Sequence, residues 1–207
     1  MLKMKYKKGL MQILEKRRYL HAKKTNNERI SKIKDNFNRI KEEYSNFHAE
    51  LLKKGMLPVR STERGFWGIS VCDEIFELFQ KINLSGYRNL IDLGSGDGRV
   101  VLIASLFTDT IGIEYDQELI NKSLEIKRKL GLSASFLKED FYNHDLSQYD
   151  LIFSFPDEPL YRGLDNKLKK ELRGRLILYG PFLNTTKLQK EGGIAINGDI
   201  FSFYRSI

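Results

Sequence analysis

The chain has 207 residues, of which 41% are hydrophobic, and a formal net charge of +8. This length accommodates one α/β domain plus an extension, and the hydrophobic share excludes global disorder. The single cysteine, Cys72, excludes an internal disulfide and a multi-cysteine metal site, and it favours a reducing, cytoplasmic location. No apolar run approaches the roughly 20 residues that span a bilayer, so we expect no membrane partner.

The positive charge is concentrated at the start of the chain. Residues 1–55 contain 16 Lys/Arg and 6 Asp/Glu, whereas the other 152 residues contain 19 and 21. We therefore expect an acidic partner, either nucleic acid or an acidic protein surface, to bind residues 1–55. A solvated helix surface is the alternative explanation of the same charge.

Apolar residues recur at helical spacing through this basic extension. A first amphipathic helix is predicted before a break at residues 23–27, and a second helix of about 25 residues follows it. The second helix carries a seam with steps of three and four residues, formed by Ile30, Ile33, Phe37, Ile40, Tyr44, Phe47 and Leu51. This seam must be buried against the first helix, against the rest of the chain or against a second copy, so a homodimer through residues 30–51 is one prediction.

Residues 56–69 are predicted to form a polar loop bounded by glycine, which contains the only tryptophan, Trp67. A large aromatic side chain in such a loop either acts as a lid over a ligand or packs on the core as a plug. The sequence leaves both open.

Residues 70–207 alternate predicted helices and strands. Helices are predicted at 70–81, directly after Gly98, at 116–130 and at 160–172; strands at 89–93, 110–115, 133–138, 149–155 and 174–179; and a closing hairpin at 193–207. Such alternation implies a mostly parallel sheet with helices on both faces. The predicted fold class is therefore α/β, a doubly wound Rossmann-like sheet of seven strands with an N-terminal basic helical extension.

The first strand runs into a glycine-rich turn, Asp92-Leu93-Gly94-Ser95-Gly96-Asp97-Gly98-Arg99. Glycines at alternate positions allow left-handed backbone angles and a close approach of a ligand to the main chain. The N–H groups at the start of the next helix favour a carboxylate or phosphate, and Asp92 offers a negative group to an ammonium. The turn therefore suits a ligand that carries both charges.

Acidic residues end the next two strands, at the edge where ligands bind to open α/β sheets. Glu114 lies 22 residues after Asp92, the separation at which an acid accepts hydrogen bonds from ribose hydroxyls. Asp140 ends the third strand and can accept from an exocyclic amine, with Phe141 or Tyr142 stacking on a purine. An amine, a carboxylate, a ribose and an adenine together describe S-adenosylmethionine. The predicted cofactor residues are Asp92, Gly94, Ser95, Gly96, Gly98, Arg99, Glu114, Tyr115, Asp140 and Phe141.

Three segments in this order, the glycine turn, Gly112-Ile113-Glu114 and Glu139-Asp140-Phe141, resemble the cofactor motifs of class I S-adenosylmethionine-dependent methyltransferases. The resemblance covers about residues 70–207, and within that superfamily it is strongest to small archaeal protein-lysine methyltransferases. It implies an enzyme that transfers a methyl group to a protein lysine. A nicotinamide dinucleotide fits less well, because G-x-G-x-G replaces the G-x-G-x-x-G spacing.

A lysine acceptor needs alignment, a dry site and loss of its proton, but no strong base. The sequence has no His-Asp pair at the fourth strand, and His21, His48 and His144 are predicted to lie on the surface. The candidate catalytic residues, expected to position the substrate, are Ser154, Phe155 and Asp157 after the fourth strand, and Glu63 and Trp67 in the loop. Asp157 is equally suited to capping the next helix.

Two other functions stay open. An RNA methyltransferase would use the basic residues 1–55 to hold phosphates, although Ser154-Phe155-Pro156-Asp157 departs from the Asn/Asp-Pro-Pro-aromatic run typical of base-amine methylation. A non-catalytic scaffold would bind S-adenosylmethionine and use its heptad seam for assembly.

Overall fold

The computed structural model of the protein describes residues 2–157, 159–160, 163–180 and 185–207, with side chains from residue 27 onward. The chain divides into two compact units, residues 1–38 and 39–207. This division falls inside the basic extension predicted at 1–55, because residues 39–55 group with the sheet-containing unit.

One helix, α1 (Leu2–Lys53), takes the place of the two helices predicted at the start of the chain. The predicted break at residues 23–27 is wrong, since the helix continues through it. Lysine, threonine and asparagine lower helix propensity only slightly, and no glycine or proline stands there to end the helix. The side chains of the predicted first amphipathic helix, and that of His21, lie outside the described side chains.

The second part of the predicted seam is buried in the unit of residues 39–207. Ile40 and Tyr44 are buried, and the ring centroid of Phe47 lies 6.2 Å from that of Trp67. At the other end of the seam, Ile30 is 54% exposed. Because Tyr44 and Phe47 contact their own chain, these positions are not available to the homodimer that the seam suggested.

The segment predicted as a loop at residues 56–69 contains a β-hairpin. Its strands β1 (Arg60–Thr62) and β2 (Gly65–Trp67) pair antiparallel, and the Thr62 hydroxyl closes the turn by donating to the carbonyl oxygen of Gly65 at 3.1 Å. Three residues per strand are too few for an alternating pattern to stand out in the sequence.

Seven strands form the central sheet. They are β3 (Asn89–Leu93), β4 (Asp109–Glu114), β5 (Ser135–Lys138), β6 (Leu151–Ser154), β7 (Arg175–Tyr179), β8 (Leu188–Ile196) and β9 (Asp199–Ser206). The order across the sheet is β5-β4-β3-β6-β7-β9-β8, and β9 runs in the direction opposite to the other six strands. The predicted mostly parallel sheet of seven strands is thus confirmed, together with the closing hairpin, whose turn contains Asn197 and Gly198 at φ +50° and +98°.

Within the described residues, four further α-helices flank this sheet: α2 (Cys72–Lys81), α3 (Arg99–Ala104), α4 (Gln117–Leu130) and α5 (Leu164–Glu171). The Asp116 side chain caps α4 by accepting two backbone N–H groups, and Gly131 ends that helix at φ +65°. In the middle of the sheet Ile91, Ile152 and Leu176 are neighbours in register and fully buried. Such uniformly apolar strands are expected where helices cover both faces. Among the described residues no helix has the length and apolarity needed to cross a membrane.

The strand order reverses at β3. The chain proceeds from β3 outward to β4 and β5, and then returns to place β6 on the other side of β3. The carboxyl ends of β3, β4, β5 and β6 therefore lie along one edge, where doubly wound sheets bind ligands.

Candidate active site

A cleft of about 390 Å³ lies at this carboxyl edge, within the range of roughly 300–1,000 Å³ that is usual for small-molecule sites. The ends of β3 to β6 form its floor, and the hairpin β1–β2 contributes a further wall. Every residue predicted for the site lines this cleft except Glu63 and Gly98. The predicted residues in the lining are Trp67, Asp92, Gly94, Ser95, Gly96, Arg99, Glu114, Tyr115, Asp140, Phe141, Ser154, Phe155 and Asp157.

The two exceptions have other positions. Glu63 is exposed in the turn of the hairpin. Gly98 has a φ of +80°, and a Cβ added there would lie 2.5 Å from the Ser123 hydroxyl and 2.7 Å from the ring of Phe136. Gly98 therefore lets the turn pack closely against α4 and β5.

The glycine turn has the predicted left-handed angles, and four of its N–H groups are already paired within the protein. Those of Gly94 and Ser95 both donate to the Ile113 carbonyl oxygen at 2.9 Å, and that of Gly98 donates to the Ser95 carbonyl oxygen at 2.9 Å. The N–H of Gly96 donates to Glu114 Oε2 at 2.8 Å. These four N–H groups are therefore not available to a ligand. The sequence-based expectation of an anion concerned the N–H groups at the start of α3, and it stays a prediction.

Asp92, at the end of β3, is a buried carboxyl group beside other acids. Burial, and then the negative charges of Glu114 and Asp97, raise the pKa of Asp92 well above its ordinary value. No hydrogen-bond donor in the described part of the chain reaches its side chain. A cation in the cleft would stabilise the ionised form, because an opposite charge at short range favours ionisation.

Glu114, at the end of β4, is held in a different way. Besides the Gly96 N–H, it accepts the N–H groups of Tyr115 and Asp116 at 2.8 and 2.9 Å on Oε1. Three backbone donors therefore satisfy and fix this carboxylate while it lines the cleft.

Residues of helix α1 support the turn from behind the cleft. The Tyr44 hydroxyl donates to the Asp97 carbonyl oxygen at 2.7 Å. The buried Arg99 guanidinium pairs with the Asp97 carboxylate, lies 4.6 Å above the Tyr44 ring and donates to the Ser70 carbonyl oxygen at 3.0 Å. Arg99 therefore holds the turn to α1 and to the segment before α2, and it does not offer a vacant charge to a ligand.

His48 joins the same network and is not the surface residue that the sequence predicted. Its Nε2 lies 2.8 Å from Arg99 Nη2. Because a guanidinium only donates, Nε2 must accept, and the imidazole is neutral in this contact. Burial, followed by the positive charge of Arg99, lowers the pKa of His48.

The hairpin β1–β2 is fastened on both sides of the cleft. Arg60 lies 2.9 Å from Asp116 and 3.1 Å from Glu118. Arg64 lies 4.8 Å from the ring centroid of Tyr115 and 3.8 Å from Asp140. On the opposite side, beyond β6, the N–H of Phe66 donates to Asp157 Oδ2 at 2.6 Å. Asp157 thus binds the hairpin across the cleft.

Trp67 ends the hairpin and lies directly on the glycine turn. A Cβ added to Gly96 would be 2.8 Å from Cδ1 and 3.0 Å from Nε1 of the indole. The side chain is 6% exposed, and neither its Nε1 nor the buried Ser95 Oγ has a hydrogen-bond partner among the described residues. Because buried polar atoms are normally paired, two unpaired ones in the lining of one cleft indicate a ligand that supplies their partners.

Carboxylates outnumber cations in the lining. The charged residues there are Arg64, Asp92, Asp97, Arg99, Glu114, Glu139, Asp140 and Asp157. Aromatic side chains of the lining also reach solvent: Phe66 is 54%, Tyr142 45% and Phe155 43% exposed. A negatively charged cleft with aromatic faces favours cationic ligands.

Phe155 and Glu139, both in the lining, are held by residues that the sequence did not connect with the site. Phe155 stacks on Tyr179 at 4.2 Å between ring centroids, and Glu139 Oε2 lies 3.0 Å from Nδ1 of His144. The other ring nitrogen of His144 lies 2.8 Å from the Tyr149 hydroxyl. His144, predicted as a surface residue, is therefore partly buried and positions Glu139. Ser154 is buried, with its hydroxyl 3.4 Å from the Leu93 carbonyl oxygen.

Solved structures share this architecture. An RNA methyltransferase from Salinibacter ruber, in complex with S-adenosyl-L-homocysteine, aligns with a TM-score of 0.59 at 18% identity, over 67% of this chain and 93% of that chain. The chain has a class I methyltransferase fold. At this identity the likeness concerns the fold alone.

Comparison of the sequence gives matches to lysine methyltransferases. A family model described as the ANTKMT methyltransferase domain matches residues 92–178. A lysine N-methyltransferase of Caenorhabditis elegans, named for a component of ATP synthase, is 37% identical over 84 residues, which are 39% of this chain and 44% of that protein. A protein-lysine N-methyltransferase of Saccharolobus islandicus is 32% identical over 87 residues, or 40% of this chain and 54% of that protein. The matches span about half the length of these relatives.

Proposed function

We propose that the protein is an S-adenosylmethionine-dependent methyltransferase that methylates the side-chain amine of a protein lysine. The observation that carries this proposal is the carboxylate-rich cleft at the carboxyl edge of the sheet, which ends in the unpaired Asp92. The matched protein-lysine methyltransferases support the acceptor.

The residues of the cleft fit the cofactor. Asp92 would receive the ammonium of its amino-acid end, Glu114 the ribose hydroxyls and Asp140 the adenine amine, with Phe141 against the base. The space above Gly94 is open, since a Cβ there would meet nothing within 4 Å. When bound, S-adenosylmethionine supplies a methyl group that its sulfonium makes electrophilic.

The protein's own contribution to the reaction is alignment and exclusion of water. The hairpin β1–β2 covers the glycine turn, so the reacting atoms would meet in a largely dry space. At the mouth of the cleft, the exposed rings of Phe66 and Phe155 offer aromatic faces to an incoming lysine. The surrounding carboxylates attract its ammonium, which must lose a proton before its lone pair is available.

The charge of the cleft favours a lysine over a nucleic acid as the acceptor. Six carboxylates face two guanidinium groups in its lining, and both guanidinium groups already lie beside carboxylates, Arg64 at Asp140 and Arg99 at Asp97. A phosphate-bearing substrate would be repelled at the point where it must accept the methyl group from the cofactor.

The acceptor can be identified with a radiolabelled methyl donor. Protein and labelled S-adenosylmethionine are added to a cell lysate, and parallel samples are treated with protease or ribonuclease. We expect label that is lost with protease, survives ribonuclease and yields methyllysine on hydrolysis, and much less label with the Asp92→Asn variant at the same donor concentration. Label lost only with ribonuclease would establish RNA methylation instead. Cofactor binding without label in any fraction would favour the non-catalytic scaffold.

A further inference from the structure

We infer that the indole N–H of Trp67 binds the carboxylate of the cofactor's amino-acid end, so that the hairpin β1–β2 is a wall of the cofactor site. This inference rests on the proposed function and assigns one of its binding contacts. It changes the role of Trp67, which the sequence suggested as a lid, as a plug on the core or as a substrate-positioning residue.

An amino-acid ligand needs a donor for its carboxylate beside the acid that receives its ammonium. The glycine turn would be the usual source of donors, but the N–H groups of Gly94, Ser95, Gly96 and Gly98 are all paired within the protein. Arg99 is occupied by Asp97, Ser70 and His48. These five residues therefore offer the carboxylate no vacant donor, so its donor lies elsewhere in the cleft.

Trp67 supplies such a donor at the required place. Its indole lies on Gly96, four residues beyond Asp92, and both side chains line the same cleft. Its Nε1 is buried without a partner in the described chain. The second unpaired atom, Ser95 Oγ, packs against Gly112 of β4, where an added Cβ would lie 2.6 Å from it, so Trp67 is the better placed of the two.

The position of the indole is fixed by contacts that do not use its N–H. The Phe66 N–H is bound by Asp157, Arg60 is bound by Asp116, and Phe47 packs beside the indole. The donor is thus held in place, and its exchange with water is limited by burial. A charge-assisted hydrogen bond formed there would be stronger than one formed in solvent.

The test compares two ligands that differ by this carboxylate, S-adenosylmethionine and decarboxylated S-adenosylmethionine, by calorimetry on the full chain. Trp67→Phe keeps a ring but removes the N–H. We expect this variant to bind S-adenosylmethionine about tenfold more weakly, the size of one charge-assisted hydrogen bond. Its affinity for the decarboxylated ligand should equal that of the wild type. Phe47→Leu, which alters packing beside the indole and removes no donor, is the control and should affect both ligands by the same factor.

The inference would be overturned if Trp67→Phe, shown to be folded by circular dichroism, lost the same factor in affinity for both ligands. It would also be overturned if the variant bound both ligands as tightly as the wild type. Wild-type protein that binds neither ligand would refute the proposed function itself, which is a different result. Because Trp67 is the only tryptophan, its emission gives a second measurement in the wild type. Saturating S-adenosylmethionine should change that emission more than the decarboxylated ligand does, and equal changes would contradict the assignment.

Discussion

The replacement Asp92→Asn should stabilise the ligand-free protein and weaken cofactor binding. Asp92 is 3% exposed, and burial raises its pKa in the folded state above the unfolded value. A raised folded pKa means that the stability contribution of this group is complete below the unfolded pKa, about 4, and is lost as the pH rises through the folded pKa. Asparagine keeps the shape of the side chain but cannot ionise, so the variant does not lose this contribution as the pH rises.

The size of both effects follows from the cost of an unpaired buried group. Such a group costs about 1–3 kcal/mol, so we expect Asp92→Asn to gain about 2 kcal/mol at pH 8, or roughly 4–8 °C in Tm for a chain of this length. At pH 4 the gain should disappear. The lost charge-assisted bond to the ligand ammonium should weaken S-adenosylhomocysteine binding about 10- to 100-fold.

Thermal unfolding from pH 4 to pH 8, with and without S-adenosylhomocysteine, measures both quantities. In the wild type, ligand binding should release a proton and strengthen as the pH rises, whereas the variant should bind with little dependence on pH. Asp97→Asn is the matched control: it leaves the buried Arg99 without its ion-pair partner and should lower the Tm. If Asp92→Asn lowers the Tm as Asp97→Asn does, or binds the ligand as tightly as the wild type, the reasoning is refuted.

Three further changes test other parts of the structure. Gly96→Ala places a Cβ 2.8 Å from the Trp67 ring, at φ +54°, and should shift the tryptophan emission of the ligand-free protein. Gly94→Ala, at φ +74° with nothing within 4 Å, should not shift it. Identical emission spectra for the two variants would contradict the contact between Gly96 and Trp67. Tyr44→Phe removes the hydrogen bond to the Asp97 carbonyl oxygen and should cost about 1 kcal/mol of unfolding free energy, and a denaturant midpoint equal to the wild type would argue against this support. Burial and the neighbouring Asp199 raise the pKa of Glu74 to about 7, so this group alone should cost up to about 3 kcal/mol as the pH rises from 5 to 8. In chemical unfolding, Glu74→Gln should remove this part of the pH dependence and leave the part due to Asp92; an unchanged slope would contradict the raised pKa of Glu74.

The part of the site that could be predicted from the sequence is the part that the sheet assembles. Asp92 and Glu114 lie at the ends of β3 and β4, and Asp140 follows β5 by two residues. Parallel strands place their carboxyl ends at one edge whatever the details of packing. Their convergence in one cleft required only the alternation of helices and strands. The same rule predicted that Ser154, Phe155 and Asp157, at and after the end of β6, lie in this cleft.

The contacts made by residues far apart in sequence could not be predicted. Tyr44 and His48 were visible only as part of a helix, and their pairing with Asp97 and Arg99 depends on how that helix packs. The hairpin partners Arg60 and Asp116 are also tertiary neighbours. A local pattern shows that a face is buried, but it does not show what covers that face.

The pairing of the turn's N–H groups was hidden for a related reason. Glycine spacing indicates a turn of a given shape, yet it does not reveal that the Glu114 side chain folds back to accept the Gly96 N–H. A side chain that competes with a ligand for a backbone donor leaves no mark in the order of residues.

Glu114 and Asp92 lie at neighbouring strand ends of the cleft but differ in their hydrogen bonding. The half of the cleft around Glu114 is preorganised, whereas the half around Asp92 contains a carboxyl group without a partner among the described residues. Glu114, already satisfied by three N–H groups, would receive a nucleoside with little rearrangement and little gain in folding stability. Asp92 would gain a partner that the protein does not provide. Ligands lacking an ammonium should therefore occupy the nucleoside half while leaving the protein almost as easy to unfold, and only the complete cofactor should add substantially to its stability.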